Sequence, residues 1–277
     1  MPAALQTVTF FKQNITGGAF EALAPATGDS ATFFNVPQGS GPFLGEIWAV
    51  DDAHACELSL TASRFHDQTF GIRVAVPSGA ALAPTTRPSL VSPAGFDQPI
   101  FPSDVLTINA NGTAADNVNA TLMLYYPDLP GISGRFANPS YVMGNLRNLV
   151  GVRVSPSSGA GTYGATVALN SVTNLLHANT DYAVLGFTSQ TPIASLVLSG
   201  VDTGNLRVGG PVLASPEHDA YLFADLSVKL GLPLVPVINS NNAGAITIAA
   251  AHTAAAAKVV DVLLAELKTP FGGIGFS

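Results

Sequence analysis

The sequence predicts an all-β protein built from two tandem β-sandwiches with a few short helices. Three observations lead there. Short runs rich in β-branched and aromatic residues recur between clusters of Gly, Pro, Asn, Asp and Ser, the pattern of strands and turns. The 277 residues suffice for two domains of ordinary size. The two halves also echo each other. At an offset of 140 residues, Thr107, Ile108, Ala110, Thr113, Ala114, Ala115 and Leu124 meet identical residues. A period this long is a whole domain, since solenoid repeats run about 20–50 residues.

Upstream the echo continues with drifting offsets. Pro99 to Pro102 resembles Pro233 to Pro236. Gly45 to Val50 resembles Tyr182 to Phe187, which sets Trp48 near Leu185. Gly71 to Val74 resembles Asn205 to Val208, at an offset of 134 residues.

Taken in order, residues 1–20 hold one apolar piece, Val8 to Phe11, followed by Gly17-Gly18, and read as an N-terminal arm. The first sandwich is expected over 21–135, with strands at 31–36, 44–50, 56–63, 70–76, 105–110 and 120–126. Residues 78–102 carry five prolines and read as a long loop. A connector is expected over 136–150, where Asn138-Pro139 starts a short helix running to Leu149. The second sandwich is expected over 151–269, with strands at 150–154, 165–169, 182–187, 195–198, 206–208, 234–238, 245–250 and 258–267. Ser215, Pro216 and Glu217 signal a second helix ending at Gly231. Alanines at 249–257 favour a helix intrinsically, but the repeat assigns them to a loop and strand edge. Residues 270–277 read as a C-terminal arm.

Composition narrows the function. Only 10% of residues are charged and 47% are hydrophobic, against roughly 25% charged in an average soluble protein. Mean hydropathy is +0.36. No apolar run reaches the ~18 residues of a membrane helix. The missing charge is therefore expected to be surface covered by other subunits. The start shows no basic segment followed by an apolar core, so no secretory leader is expected. Cys56 is the single cysteine, which rules out a disulfide framework and fits assembly in a reducing cytoplasm. A net charge of −7 without a basic cluster argues against direct nucleic-acid binding.

No motif carries chemistry, so neither catalytic residues, nor a cofactor, nor a resident metal is expected, and the chain is not read as an enzyme. Gly159, Gly161 and Gly164 match the spacing G-x-G-x-x-G, but a strand pattern follows where nucleotide binding needs a helix. Asp51, Asp52 and His54, with His66 and Asp67, offer metal-binding groups in no established spacing, and read as a polar turn. A loosely held calcium ion between subunits stays open. His177, His218 and His252 are scattered. Asn14, Asn111 and Asn119 open glycosylation sequons that, without a leader, read as turn and strand residues.

A duplicated sandwich with connector, flexible ends, few charges and no chemistry resembles the double jelly-roll major capsid proteins of tailless icosahedral viruses, including bacteriophages, many with an internal membrane. The resemblance covers nearly the whole chain and rests on architecture, with 105–126 and 245–267 matching the late strand pair of each jelly roll. It implies homotrimeric, pseudo-hexagonal capsomers, contacts with neighbouring trimers, with minor or penton proteins and with a membrane beneath the shell, and residence in the virion after synthesis in the host cytoplasm. In such a particle Phe10, Phe11, Phe271 and Phe276 would anchor the arms on neighbours. Two other readings stay open, a trimeric decoration protein of a tailed-phage head and a carbohydrate-binding or adhesive sandwich.

Overall fold

The computed structural model describes residues 3–29, 42–62, 71–76, 88–91, 98–100, 105–128, 134–170, 176–213 and 220–272. The first half forms β1 (Ala4–Lys12), β2 (Glu21–Ala22), β3 (Ala24–Pro25), β4 (Phe43–Asp51), β5 (Cys56–Thr61), β6 (Ile72–Val76), β7 (Leu90–Val91), β8 (Gln98–Pro99), β9 (Thr107–Asn111) and β10 (Val118–Tyr126). The second forms β11 (Phe136–Ala137), α1 (Pro139–Asn145), β12 (Leu146–Val154), β13 (Ser157–Ala160), β14 (Thr162–Tyr163), β15 (Val167–Ala168), β16 (Asp181–Ser189), β17 (Ile193–Ser199), β18 (Val208–Val212), α2 (Leu222–Leu230), β19 (Val235–Asn239), β20 (Thr247–His252), β21 (Ala256–Ala257) and β22 (Val260–Leu267).

These strands make four sheets, two per half. In the first half one sheet runs β3-β1-β10-β4-β7, with β8 also on β4, and the other runs β2-β9-β5-β6. In the second half the sheets run β12-β22-β16-β19-β11 and β18-β17-β20-β13-β21, with β14 and β15 also on β20. The early strand β1 pairs with the last strand of its half, β10, and β12 pairs likewise with β22. This wrapping is that of a jelly roll, and it occurs twice.

The duplication extends to a defect. Glu46 pairs with Met123 and Leu44 with Leu124, so Gly45 bulges out. Gly186 pairs with Leu263 and Val184 with Leu264, so Leu185 bulges out. Glu46 to Gly186 and Met123 to Leu263 are both steps of 140 residues. The true counterpart of Trp48, opposite Thr121, is therefore Thr188, opposite Asp261, and not Leu185. Thr107 opens β9 and Thr247 opens β20, facing Thr61 on β5 and Ser199 on β17.

The sheets stack as four layers. Val8, Phe10, Ile47, Leu122 and Leu124 pack inward with Leu58, Leu60 and Ile108 to fill the first roll. Val152, Val184, Phe187, Val262 and Leu264 do so in the second with Leu196, Leu198 and Ile248. The other face of the β1–β10–β4 sheet lies against the second roll, which is why every residue of β10 is buried. Strands covered on both faces lose the alternation of a half-exposed strand.

Several expectations change. Residues 4–12 are not an arm but a central strand, paired along nine residues with β10. A doubly buried strand and a sticky arm share the same apolar composition, which explains the misreading. The connector belongs to the second roll, since Phe136 pairs with Pro236 and Leu146 with Leu267. α1 stops at Asn145 and passes straight into a strand. α2 begins at Leu222 and ends as expected at Gly231, which takes φ +67°. In the expected loop at 78–102, Leu90–Val91 and Gln98–Pro99 pair with β4. The strand at 31–36 and the cap at 215–217 lie outside the described residues.

Candidate assembly surfaces

The junction between the rolls joins the two halves of the chain into one body. Thr7, Thr9 and Thr121 point from the first roll into the second, each at most 1% exposed. Buried hydroxyls must be hydrogen-bonded, and these are. The Thr9 hydroxyl donates to Ser195 Oγ at 2.8 Å and lies 3.1 Å from the Tyr163 hydroxyl, which is 3.0 Å from Ser195 Oγ. The three can each donate to the next, closing a ring. Thr121 Oγ1 donates to the Ala194 carbonyl at 3.1 Å. Burial pushes the Tyr163 phenol above its ordinary pKa, which keeps it a donor. Thr7 Oγ1 donates to Gly209 O at 2.7 Å and accepts from Gly209 N at 3.0 Å. Around the ring lie Phe11, Ala26, Val197, Ala249 and Ala251, a small apolar cluster shared by the two rolls.

Charged ties close the rim. Arg207 Nη1 donates to Asp29 Oδ1 at 2.8 Å and to the Thr27 carbonyl at 2.9 Å, and its guanidinium lies 4.5 Å from the Tyr163 ring centroid. Burial pushes the Asp29 carboxyl up to about 6, although the Thr9 amide and Arg207 pull it down. The helix α2 also spans the junction. Lys229 pairs with Glu46, and Phe223 packs edge-on against Phe187.

The outer face of the second roll is partly open. α1 and α2 lie over the β22–β16 sheet and leave an apolar cavity of about 260 Å³, lined by Val142, Met143, Leu149, Leu185, Tyr221 and Ala265. Met143 is 72% exposed and Val228 on α2 is 73% exposed.

The four phenylalanines expected to anchor arms fall differently. Phe10 is inside the first roll, and Phe11 is in the cluster between the rolls. Both are therefore spent within their own chain. Phe271 is also held by its own chain. Its amide donates to Asp181 Oδ2 at 2.6 Å, its carbonyl accepts from Arg135 Nη2 at 2.9 Å, and its ring meets Tyr141 edge-on at 5.3 Å. Arg135 in turn forks onto both Asp181 oxygens at 3.0 and 2.7 Å. Phe276 lies outside the described residues.

The motifs settle as follows. Gly161, at φ +65°, turns the chain between β13 and β14, the loop reading of the glycine spacing. Burial beside Asp51 pushes the Cys56 thiol up to about 12, so it stays protonated. His177 pairs with Glu266, and His252 accepts from the Ala194 amide. Asp51, Asp52 and His54 come together with Asp116, a residue the sequence reading did not single out. His66, Asp67 and His218 lie outside the described residues. The hydroxyl ring was missed too; its one sequence signal is threonine at positions 7 and 9 within the mostly apolar β1.

No family model matches the chain, and no curated protein matches it. Similar solved structures include YhaK from Escherichia coli, 13% identical over 95% of this chain and 86% of that one, with a TM-score of 0.21. A chain of the Sulfolobus Turreted Icosahedral Virus is 11% identical over 98% and 92%, with a TM-score of 0.20. The STIV MCP is 10% identical over 98% of both chains, with a TM-score of 0.17. Scores this low carry no argument about this chain.

Proposed function

We propose that the chain is a structural subunit of an icosahedral virus shell, a major capsid protein whose trimers form pseudo-hexagonal capsomers. The observation that carries this reading is the duplicated jelly roll joined through a buried junction. One subunit then presents two like lobes as one body, and three subunits present six, the number a six-fold lattice position needs. The low charge content supports the same reading, because a shell subunit hides much of its surface against copies. Assembly, rather than chemistry, is the activity; the virion is its place, and neighbouring trimers and minor capsid proteins are its partners.

Native mass measurement of the purified chain, followed by electron microscopy of concentrated samples, tests this. Trimers that associate into closed shells or hexagonal arrays are expected. A stable monomer at micromolar concentration would overturn the reading. Trimers that bind only to preformed heads would move the protein to the decoration class.

A further inference from the structure

Two turns meet at one end of the first roll, residues 51–54 after β4 and 112–117 between β9 and β10. Asp51, Asp52 and Asp116 each bring a carboxylate oxygen there, all within 4.8 Å of one another. Asp51 is 0% and Asp116 5% exposed. Asp51 Oδ1 accepts from the amides of Ala53 and His54 at 3.1 and 3.0 Å. Its second oxygen, Oδ2, is buried with no hydrogen-bond partner. That oxygen sits against Gly112, where a methyl group would stand 3.2 Å away. Asp52 accepts from Asn117 N and Nδ2 at 2.8 and 2.6 Å, which fixes its position. Among the described residues, the one basic ion-pair partner of the three is His54, at 2.8 Å from Asp116 and itself 57% exposed.

Three carboxylates this close repel one another, and burial strengthens the repulsion. A single exposed imidazole does not balance them. We propose that the cluster is a calcium site that clamps the two turns together. The donors are all oxygen, as a hard cation prefers. The three oxygens lie close enough for one ion to touch them all. Ca²⁺ accepts flexible, irregular oxygen shells, whereas Mg²⁺ demands near-ideal octahedral geometry and dehydrates reluctantly, which carboxylates already fixed by turn amides do not favour. Ca²⁺ takes about 6–8 oxygens, so water completes the shell. The ion would also steady the segment that follows β1. Ile15 N donates to Asp116 O at 3.0 Å, Ala115 N donates to Ile15 O at 2.8 Å, and Asn14 N donates to Asn117 Oδ1 at 3.0 Å.

The full chain, stripped with a chelator and dialysed, is titrated with CaCl₂ by calorimetry, with thermal unfolding followed in parallel. One Ca²⁺ per chain is expected, with Kd in the range of ~10⁻⁴–10⁻³ M and a rising melting temperature. Asp116→Asn and Asp52→Asn keep the side-chain shapes and should each weaken uptake by about tenfold or more. Asp51 is left intact because it also holds the turn amides. No uptake at millimolar Ca²⁺, unchanged uptake in the double variant, or an equal response to MgCl₂ would overturn the proposal. Circular dichroism of each variant confirms that loss of uptake is not loss of fold.

Discussion

The hydroxyl of Thr9 in the first roll donates to the hydroxyl of Ser195 in the second across 2.8 Å, where both residues are 0% exposed. Neither can exchange its partner for water, so the two rolls are keyed to one relative position. Thr9→Val or Ser195→Ala strands polar groups and should each cost about 1–2 kcal/mol. Because Tyr163 closes the ring, the double variant should cost less than the sum, with a coupling of about 0.5–1.5 kcal/mol. Urea unfolding of the four chains measures this. Strict additivity would mean the ring does not act as a unit.

The rolls also depend on a missing side chain. A Cβ at Gly209 would come within 1.9 Å of the Leu196 carbonyl oxygen. That obstacle is backbone, which cannot swing aside. Gly209→Ala should therefore cost roughly 3 kcal/mol or more, or leave the chain insoluble. Thr7→Val, which only removes the hydroxyl bonded to Gly209, should cost about 1–2 kcal/mol. If the alanine variant is as stable as the parent, β17 and β18 have more freedom than this packing allows.

The repeat was legible where its residues are identical. Thr107 and Thr247 lie at matching places because the late strands kept both residue type and spacing. Upstream, aliphatic strands resemble each other in several registers, so Trp48 was set three residues away from its true counterpart, Thr188. β1 was misplaced for a related reason. Composition reports that Phe10 and Phe11 are buried, not what buries them. Asp116 was invisible beside Asp51 because only the meeting of two turns makes them neighbours. The hydroxyl ring draws one member each from β1, β14 and β17, which no local pattern links.

Acid should loosen the second roll at His252. Its imidazole is pushed down to about 4, first by burial and then by the Lys258 charge. Its Nδ1 accepts from Ala194 N at 3.3 Å, which a protonated ring could not do. The folded pKa lies below the unfolded value of 6.5. The neutral form therefore stabilises fully above pH 6.5, and that contribution is lost as pH falls towards 4. Allowing for partial solvation, the loss is about 1–2 kcal/mol. Asp29 acts in the opposite sense, since its raised pKa favours the fold at low pH and loses that contribution as pH rises through about 6. The test therefore compares the parent with His252→Asn, which keeps an acceptor that never titrates. Between pH 7 and 4.5 the parent should lose more stability than the variant. Parallel curves would refute the assignment.

A truncation of the tail tests folding apart from the proposed assembly. Arg135, Asp181 and Tyr141 hold Phe271 against its own chain. Arg135→Lys keeps the charge but loses the fork onto Asp181, which is 3% exposed. It should cost about 1–3 kcal/mol in stability. Deleting 273–277 removes Ile274 and Phe276 and leaves that lock whole. Its melting temperature should match the parent, as should the mass of the proposed trimer. If these residues bind neighbouring trimers, only the growth of shells or arrays should fail, as read by light scattering and microscopy. Normal shells from the truncated chain would show that the tail makes no assembly contact. Loss of the trimer would show that it belongs to the contacts within a capsomer.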